Sequence, residues 1–260
     1  VKSNWRRRLL RWTLIAVIAA FLVTALPVVA MRWIDPWYSA FMLDAALDAR
    51  AQNHTNYRTD YRWRDLEQIS PHAAIAVIAS EDQFFPFHFG FDFRSIREAV
   101  RSNEKQATRK HPRVRGASTI SQQVAKNLFL WSGRSYFRKG CEVYFTLLIE
   151  ATWPKERILE VYLNVAQFGD GIYGVEAAAQ RYWRKPAAQL NRYEAATLAA
   201  VLPNPIMLRA NAPSAYVTGR RDWILGQMRG LGGASYLDEL ENPTGPPKAG
   251  VRARLETKRQ

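Results

Sequence analysis

Between Trp12 and Met31 the chain carries no charged side chain, and most positions are Leu, Ile, Val, Ala or Phe. About twenty such residues, wound as a helix, rise roughly 30 Å, the thickness of a bilayer's hydrocarbon core. Arg11 and Arg32 bracket the run, and Trp5, Trp12, Trp33, Trp37 and Tyr38 stand at its ends, where interfacial aromatics belong. Lys2, Arg6, Arg7, Arg8 and Arg11 precede it. The expectation is one transmembrane helix over residues 12–31, with residues 1–11 as a cytoplasmic tail and everything after Arg32 outside. The competing reading is a cleaved signal peptide. Thr24 to Arg32 offers small residues but no clean cleavage site, and the run is long for a leader, so a retained anchor is expected. Pro27 can kink this helix without forbidding the span.

That placement limits the partners. The chain of 260 residues has a net charge of +14, which calls for an anionic partner. Outside the cytoplasm, nucleic acid is excluded as the main ligand, leaving membrane lipids or a lipid-linked phosphate. Hydrophobic residues at 48% are enough to build a core. A single cysteine, Cys141, rules out an internal disulfide framework.

Beyond the anchor the dominant period is helical. Residues 32–65 read as a connector with a short helix. PHAAIAVIASED places Ala74, Ile75, Ile78 and Ala79 on one face. A basic stretch from Arg97 to Arg115 reads as a flap or surface loop. Ile120, Val124, Leu128 and Phe129 mark the next helix, and Arg138 to Thr152 another. Pro154 sits near the first turn of a helix striped by Ile158, Leu159, Tyr162 and Leu163. GDGIYG reads as a turn. Helices over Val175 to Trp183, Tyr193 to Leu202 and about Thr218 to Gly230 follow. The fold class is all-α, with a globular domain over 66–232 and a basic, disordered tail over 233–260.

Two carboxylate regions invite chemistry. Glu81 and Asp82 end the Ala/Ile-rich helix and meet an aromatic run, Phe84, Phe85, Phe87, Phe89 and Phe91. A carboxylate pressed against apolar rings loses hydration and becomes a better general base or acid, with His88 and Asp92 available to pin it. Read alone, the pair fits an ordinary polar helix end as well. Glu142 follows Arg134 and sits beside Arg138 and Lys139, with Lys126 one helix earlier. Read alone, a solvated salt-bridging face explains this better. Yet a carboxylate among cations suits departure of a diphosphate, which leaves as an anion and needs positive charge rather than a proton donor. A glycosidase would need a general acid instead. Ser102 to Lys105 fits the Ser-x-x-Lys pattern of acyltransferases, but no Lys-Thr-Gly accompanies it. The four histidines show no zinc-ligand spacing.

EDQFFPFHFGFD, GASTISQQVAKNLFL, RKGCE and ILEVYLNVAQFGDGIYGVEAAAQRYW resemble, in order and spacing, the signature blocks of the family 51 glycosyltransferases. This family includes the peptidoglycan transglycosylase domain of class A penicillin-binding proteins. The resemblance runs from about Leu66 to Pro213, and with one N-terminal anchor the chain looks like the monofunctional form. It implies a lysozyme-like, mostly helical fold with a small membrane-proximal jaw lobe over about 96–136. It implies that lipid II is polymerised into β-1,4 glycan strands on the outer face of the bacterial inner membrane. Glu81 would be the general base, and Glu142 the second catalytic carboxylate, helping to organise a divalent cation, Mg²⁺ or Mn²⁺; no organic cofactor is implied. Lys126, Arg134, Arg138 and Lys139 match the family's phosphate-side positions. Asp82, Ser118, Thr119, Gln122, Gln123 and Asn127 match positions that line or support the cleft. Partners would be lipid II, the growing strand, membrane lipids and cell-wall synthesis or division proteins. Two departures are mild: Ser121 stands where Thr is usual, and Trp153-Pro154 replaces a more usual small polar residue.

Overall fold

The computed structural model describes residues 3–107, 116–133 and 135–245. The first helix, α1 (Ser3–Ala30), continues well to the N-terminal side of the uncharged run. Among the described residues it is the one helix long and apolar enough to cross a membrane. Most of its apolar side chains are exposed, and only Ala25 and Val28 are buried. A short α2 (Ala40–Ala51) follows, opened by the Ser39 hydroxyl, which accepts the Met42 N–H.

The globular domain is helical, as the periodicity requires. It comprises α3 (Pro71–Glu81), α4 (Phe93–Ala107), α5 (Ile120–Phe129), α6 (Tyr136–Thr152), α7 (Lys155–Val165), α8 (Val175–Trp183), α9 (Arg192–Val201) and α10 (Ala215–Gly230). α3 lies at the centre. Seven consecutive residues, Ala73 to Ala79, are buried, because α9 and α10 cover one side and α7 and the C-terminal segment the others. Small Ala side chains let neighbouring helices come close, and the Ile residues fill the space between them. α5 packs on α6 and α7 through Ile120, Val124 and Ala125, all fully buried. The main core therefore includes α5, although it falls inside the interval 96–136 expected to form the jaw.

The structure departs from the sequence reading at three places. The segment expected to be a flap or loop is helical as far as Ala107, with residues 108–115 outside the described residues. GDGIYG is the turn of a small hairpin: β2 (Gln167–Gly169) pairs antiparallel with β3 (Ile172–Tyr173), and β1 (Asp60–Tyr61) pairs parallel with β3. Strands of two or three residues are too short to show alternation. The expected disorder does not begin at residue 233. Gly233–Leu240 forms a 3-10 segment whose Tyr236 and Leu240 are buried, and the Tyr236 hydroxyl donates to the Gln83 carbonyl at 2.6 Å. Residues 246–260 lie outside the described residues.

Candidate active site

Glu81 is the last residue of α3 and Asp82 its C-cap. Adjacent in sequence, they have different surroundings. Asp82 is buried, and its carboxylate accepts the backbone N–H of Ile120 at 3.0 Å, in the first turn of α5. The partial positive charge at a helix N-terminus favours such a carboxylate. His88 Nε2 meets the same group at 2.9 and 3.0 Å. Asp82 is thus a joint between α3, the aromatic segment and α5. Glu81 instead is half-buried among side chains: its Oε2 accepts the side-chain N–H of Gln123 at 3.0 Å, and Arg220 of α10 lies 3.5 Å from Oε1.

The rings of Phe84, Phe85, Phe87 and Phe91 meet other side chains. Phe85 is fully buried against His88 and Lys155, Phe87 meets Tyr236, Phe84 lies under Arg94 and Phe91 meets Phe93. The Glu81 carboxylate itself meets polar groups, Gln123 and Arg220. His88 pins Asp82 rather than Glu81, and Asp92 caps α4 by accepting the Ser95 N–H at 2.9 Å.

On α5, Thr119 and Gln122 form a reciprocal capping box. The Thr119 hydroxyl donates to the Gly90 carbonyl at 2.7 Å. Both side chains are buried in this structural role, whereas Ser118 is exposed and Asn127 is buried. Gln123 is the member of this block that reaches Glu81, and its Oε1 accepts the Tyr162 hydroxyl at 3.1 Å. Burial, with Glu81 and Asp82 nearby, pushes the Tyr162 phenol well above its ordinary value, so it remains a donor at any working pH. Ser121, which replaces the more usual Thr, donates its hydroxyl to buried Glu150. Glu150 also holds Lys155 at 2.8 and 2.9 Å, and Lys155 donates to the His88 carbonyl at 2.7 Å. The hydroxyl is what that position uses.

Glu142 lies on the buried side of α6. Its Oε2 accepts from Arg138 at 3.2 Å, one turn back, and its Oε1 pairs with Lys139. The Arg138 Nε is buried without a hydrogen-bond partner, a donor suited to an anionic oxygen. Lys126 lies over the Phe41 ring at 5.1 Å, and its charge is influenced by both carboxylates. Burial pushes its ammonium below its ordinary value; Glu142 and, more weakly, Glu81 oppose that shift, while Arg138 and Lys139 add to it. One cation on α5 therefore feels both glutamates. Arg134 lies outside the described residues.

The donor set around Glu142 does not by itself fit a divalent cation. Both carboxylate oxygens are engaged by cations, and no group of three His, Cys, Asp or Glu that could hold a metal occurs among the described residues. A hard cation there would take most of its ligands from phosphate and water.

Sequence reasoning missed Arg220, which is far from Glu81 along the chain and carried no motif of its own. It also took Tyr162 for simple core. In Arg220 the only available signal was the Arg220-Arg221 pair in an otherwise ordinary helix.

A carboxylate held by polar side chains beside α5, with a carboxylate–cation cluster on the neighbouring α6, is an arrangement compatible with glycosyl transfer from a phosphorylated donor. Comparison with known proteins narrows this class. Residues 48–229 match the transglycosylase family, and the chain belongs to it. The chain is 51% identical over 231 residues to the biosynthetic peptidoglycan transglycosylase of Xanthomonas campestris pv. campestris strain B100, covering 89% of this chain and 92% of that protein. The protein of that name from Xylella fastidiosa strain 9a5c is 50% identical over 234 residues, covering 90% and 93%. The one from Escherichia coli O17:K52:H18 is 50% identical over 238 residues, covering 88% and 97%.

Proposed function

We propose that this protein polymerises lipid II into β-1,4-linked glycan strands, with inversion at the donor carbon and release of undecaprenyl diphosphate. Glu81 accepts the proton of the acceptor sugar's 4-hydroxyl. The oxygen's electron pair forms the new bond to the anomeric carbon as the bond to diphosphate breaks. Gln123 and Arg220 hold the Glu81 carboxylate in place, and Tyr162 holds Gln123. The electron pair that leaves with the diphosphate is met by Arg138, Lys139 and Lys126, with Arg134 as a further cation by resemblance. Glu142 orients these cations and balances their charge before substrate arrives. No step runs through a metal ion.

The observation that carries this reading is α5, whose Gln123 donates to Glu81 at 3.0 Å and whose half-buried Lys126 carries a charge favoured by both Glu142 and Glu81. It supports a single cleft with proton acceptance at one end and anion stabilisation at the other. The helix α1 crosses the cytoplasmic membrane with its basic end inside, and the domain works on the outer face beside membrane lipids and other cell-wall synthesis or division proteins.

Purified protein incubated with labelled lipid II should yield long glycan product. Glu81→Gln should abolish it. Release of soluble muropeptides from sacculi without consumption of lipid II would overturn the reading in favour of a lytic enzyme on the same fold.

A further inference from the structure

The anchor helix is tied to the domain by directional contacts at its outer end. α1 and α6 run side by side in the same direction. The Thr24 hydroxyl meets the Tyr144 hydroxyl at 2.7 Å. Further along, the Trp153 indole N–H donates to the Val28 carbonyl at 2.8 Å, and the Arg32 guanidinium donates to the Thr152 carbonyl at 2.8 Å. The last carbonyls of a helix lack intrahelical donors. Here each helix supplies a donor, from its own end or just past it, to a terminal carbonyl of the other. Ala25 and Val28 of α1 and Ile149 and Trp153 beside them are buried. The exit of α1 is held as well: Arg157 of α7 donates to the Met31 carbonyl at 2.9 and 3.1 Å and to the Ile34 carbonyl at 3.0 Å, and pairs with Asp35 at 2.8 Å. A passive tether would have none of these ties.

The helix so gripped, α6, is also the one that carries Arg138, Lys139 and Glu142. Glu142 lies two residues from Tyr144, about 3 Å along the axis, so the tie at Thr24 sits almost level with the cationic pocket. We infer that α1 is a positioning strut, whose docked segment, Thr24 to Arg32, sets the height of the Glu142 cluster relative to the membrane that α1 crosses. This rests on the proposed reading of α1 as the membrane span and of the cluster as the diphosphate end of the cleft. A lipid-borne diphosphate is confined to one plane of the bilayer, so a site held at the wrong height loses turnover even when perfectly folded; a misplacement of about 1 Å can cost a hundredfold.

The test compares full-length protein in two media with the same labelled lipid II: phospholipid vesicles and detergent micelles, where no fixed plane exists. In one variant, seven helix-forming apolar residues inserted after Val17 lengthen the span by roughly 10 Å while keeping the docking face within about 20°. In a second, Arg32→Gln with Trp153→Phe removes both carbonyl ties. Each should lower kcat/KM in vesicles by roughly tenfold or more, while leaving it within about twofold of the parent in detergent. Equal activity in vesicles for both variants, or equal loss in the two media, would overturn the strut. The parent's activity in detergent reports separately on the proposed function, so the two failures are distinguishable.

Discussion

Replacing Glu142 by Gln keeps the shape of the side chain and removes its charge, leaving Arg138, Lys139 and Lys126 without their shared counterion. Glu142 is 4% exposed and Arg138 12%, so this half of the cluster behaves as a buried pair, whose disruption costs about 3–5 kcal/mol. Lys139 is 47% exposed, and its pairing is worth no more than a surface bridge, about 0.2–1 kcal/mol. Amide hydrogen bonding to Arg138 recovers part of the loss, and the net expectation is about 2–4 kcal/mol. For a domain of this size that lowers Tm by roughly 4–16 °C. Lys126 reports the same change through pH. Its ammonium is already held below its ordinary value in the folded protein, so the unfolded chain binds more protons between the folded value and 10.5, and stability rises with pH across that window. Since Glu142 is the largest influence opposing that depression, Glu142→Gln should extend the window to lower pH. Differential scanning fluorimetry in detergent across a pH series gives both quantities, and lipid II polymerisation should be lost in parallel. A variant that melts within about 2 °C of the parent and still makes long strands would refute the argument that Glu142 balances the pocket.

Tyr162→Phe leaves the Gln123 carbonyl without its donor, and should cost about 1–2 kcal/mol in urea unfolding while lowering kcat several-fold with little change in KM. Thr119→Ala removes both an N-cap and the bond to the Gly90 carbonyl, for about 2 kcal/mol together; Thr119→Ser should restore most of it in the same assay. Gly174 has φ +84°, and an added Cβ would lie 2.5 Å from the Asn164 carbonyl oxygen, so Gly174→Ala should destabilise by more than the ordinary 1–2 kcal/mol left-handed penalty, read as soluble yield and Tm.

Local pattern was enough for much of this protein. The uncharged run predicts a helix where α1 lies, the stripe Ile158, Leu159, Tyr162 and Leu163 is buried as its spacing requires, and the ordered blocks resemble the family to which the chain belongs. These properties depend on residues close together in the chain, and the helical period exposes them directly. Which of two neighbouring carboxylates is taken up by a backbone N–H was not a local matter. Glu81 and Asp82 are equivalent by composition and spacing, and only the approach of the α5 N-terminus gives Asp82 a backbone partner and leaves Glu81 to Gln123 and Arg220. The grip of α6 on the anchor likewise depends on carbonyls that every residue possesses, selected by where Trp153 and Arg32 come to rest. Side-chain period records which face is buried; it does not record which distant polar group will arrive there.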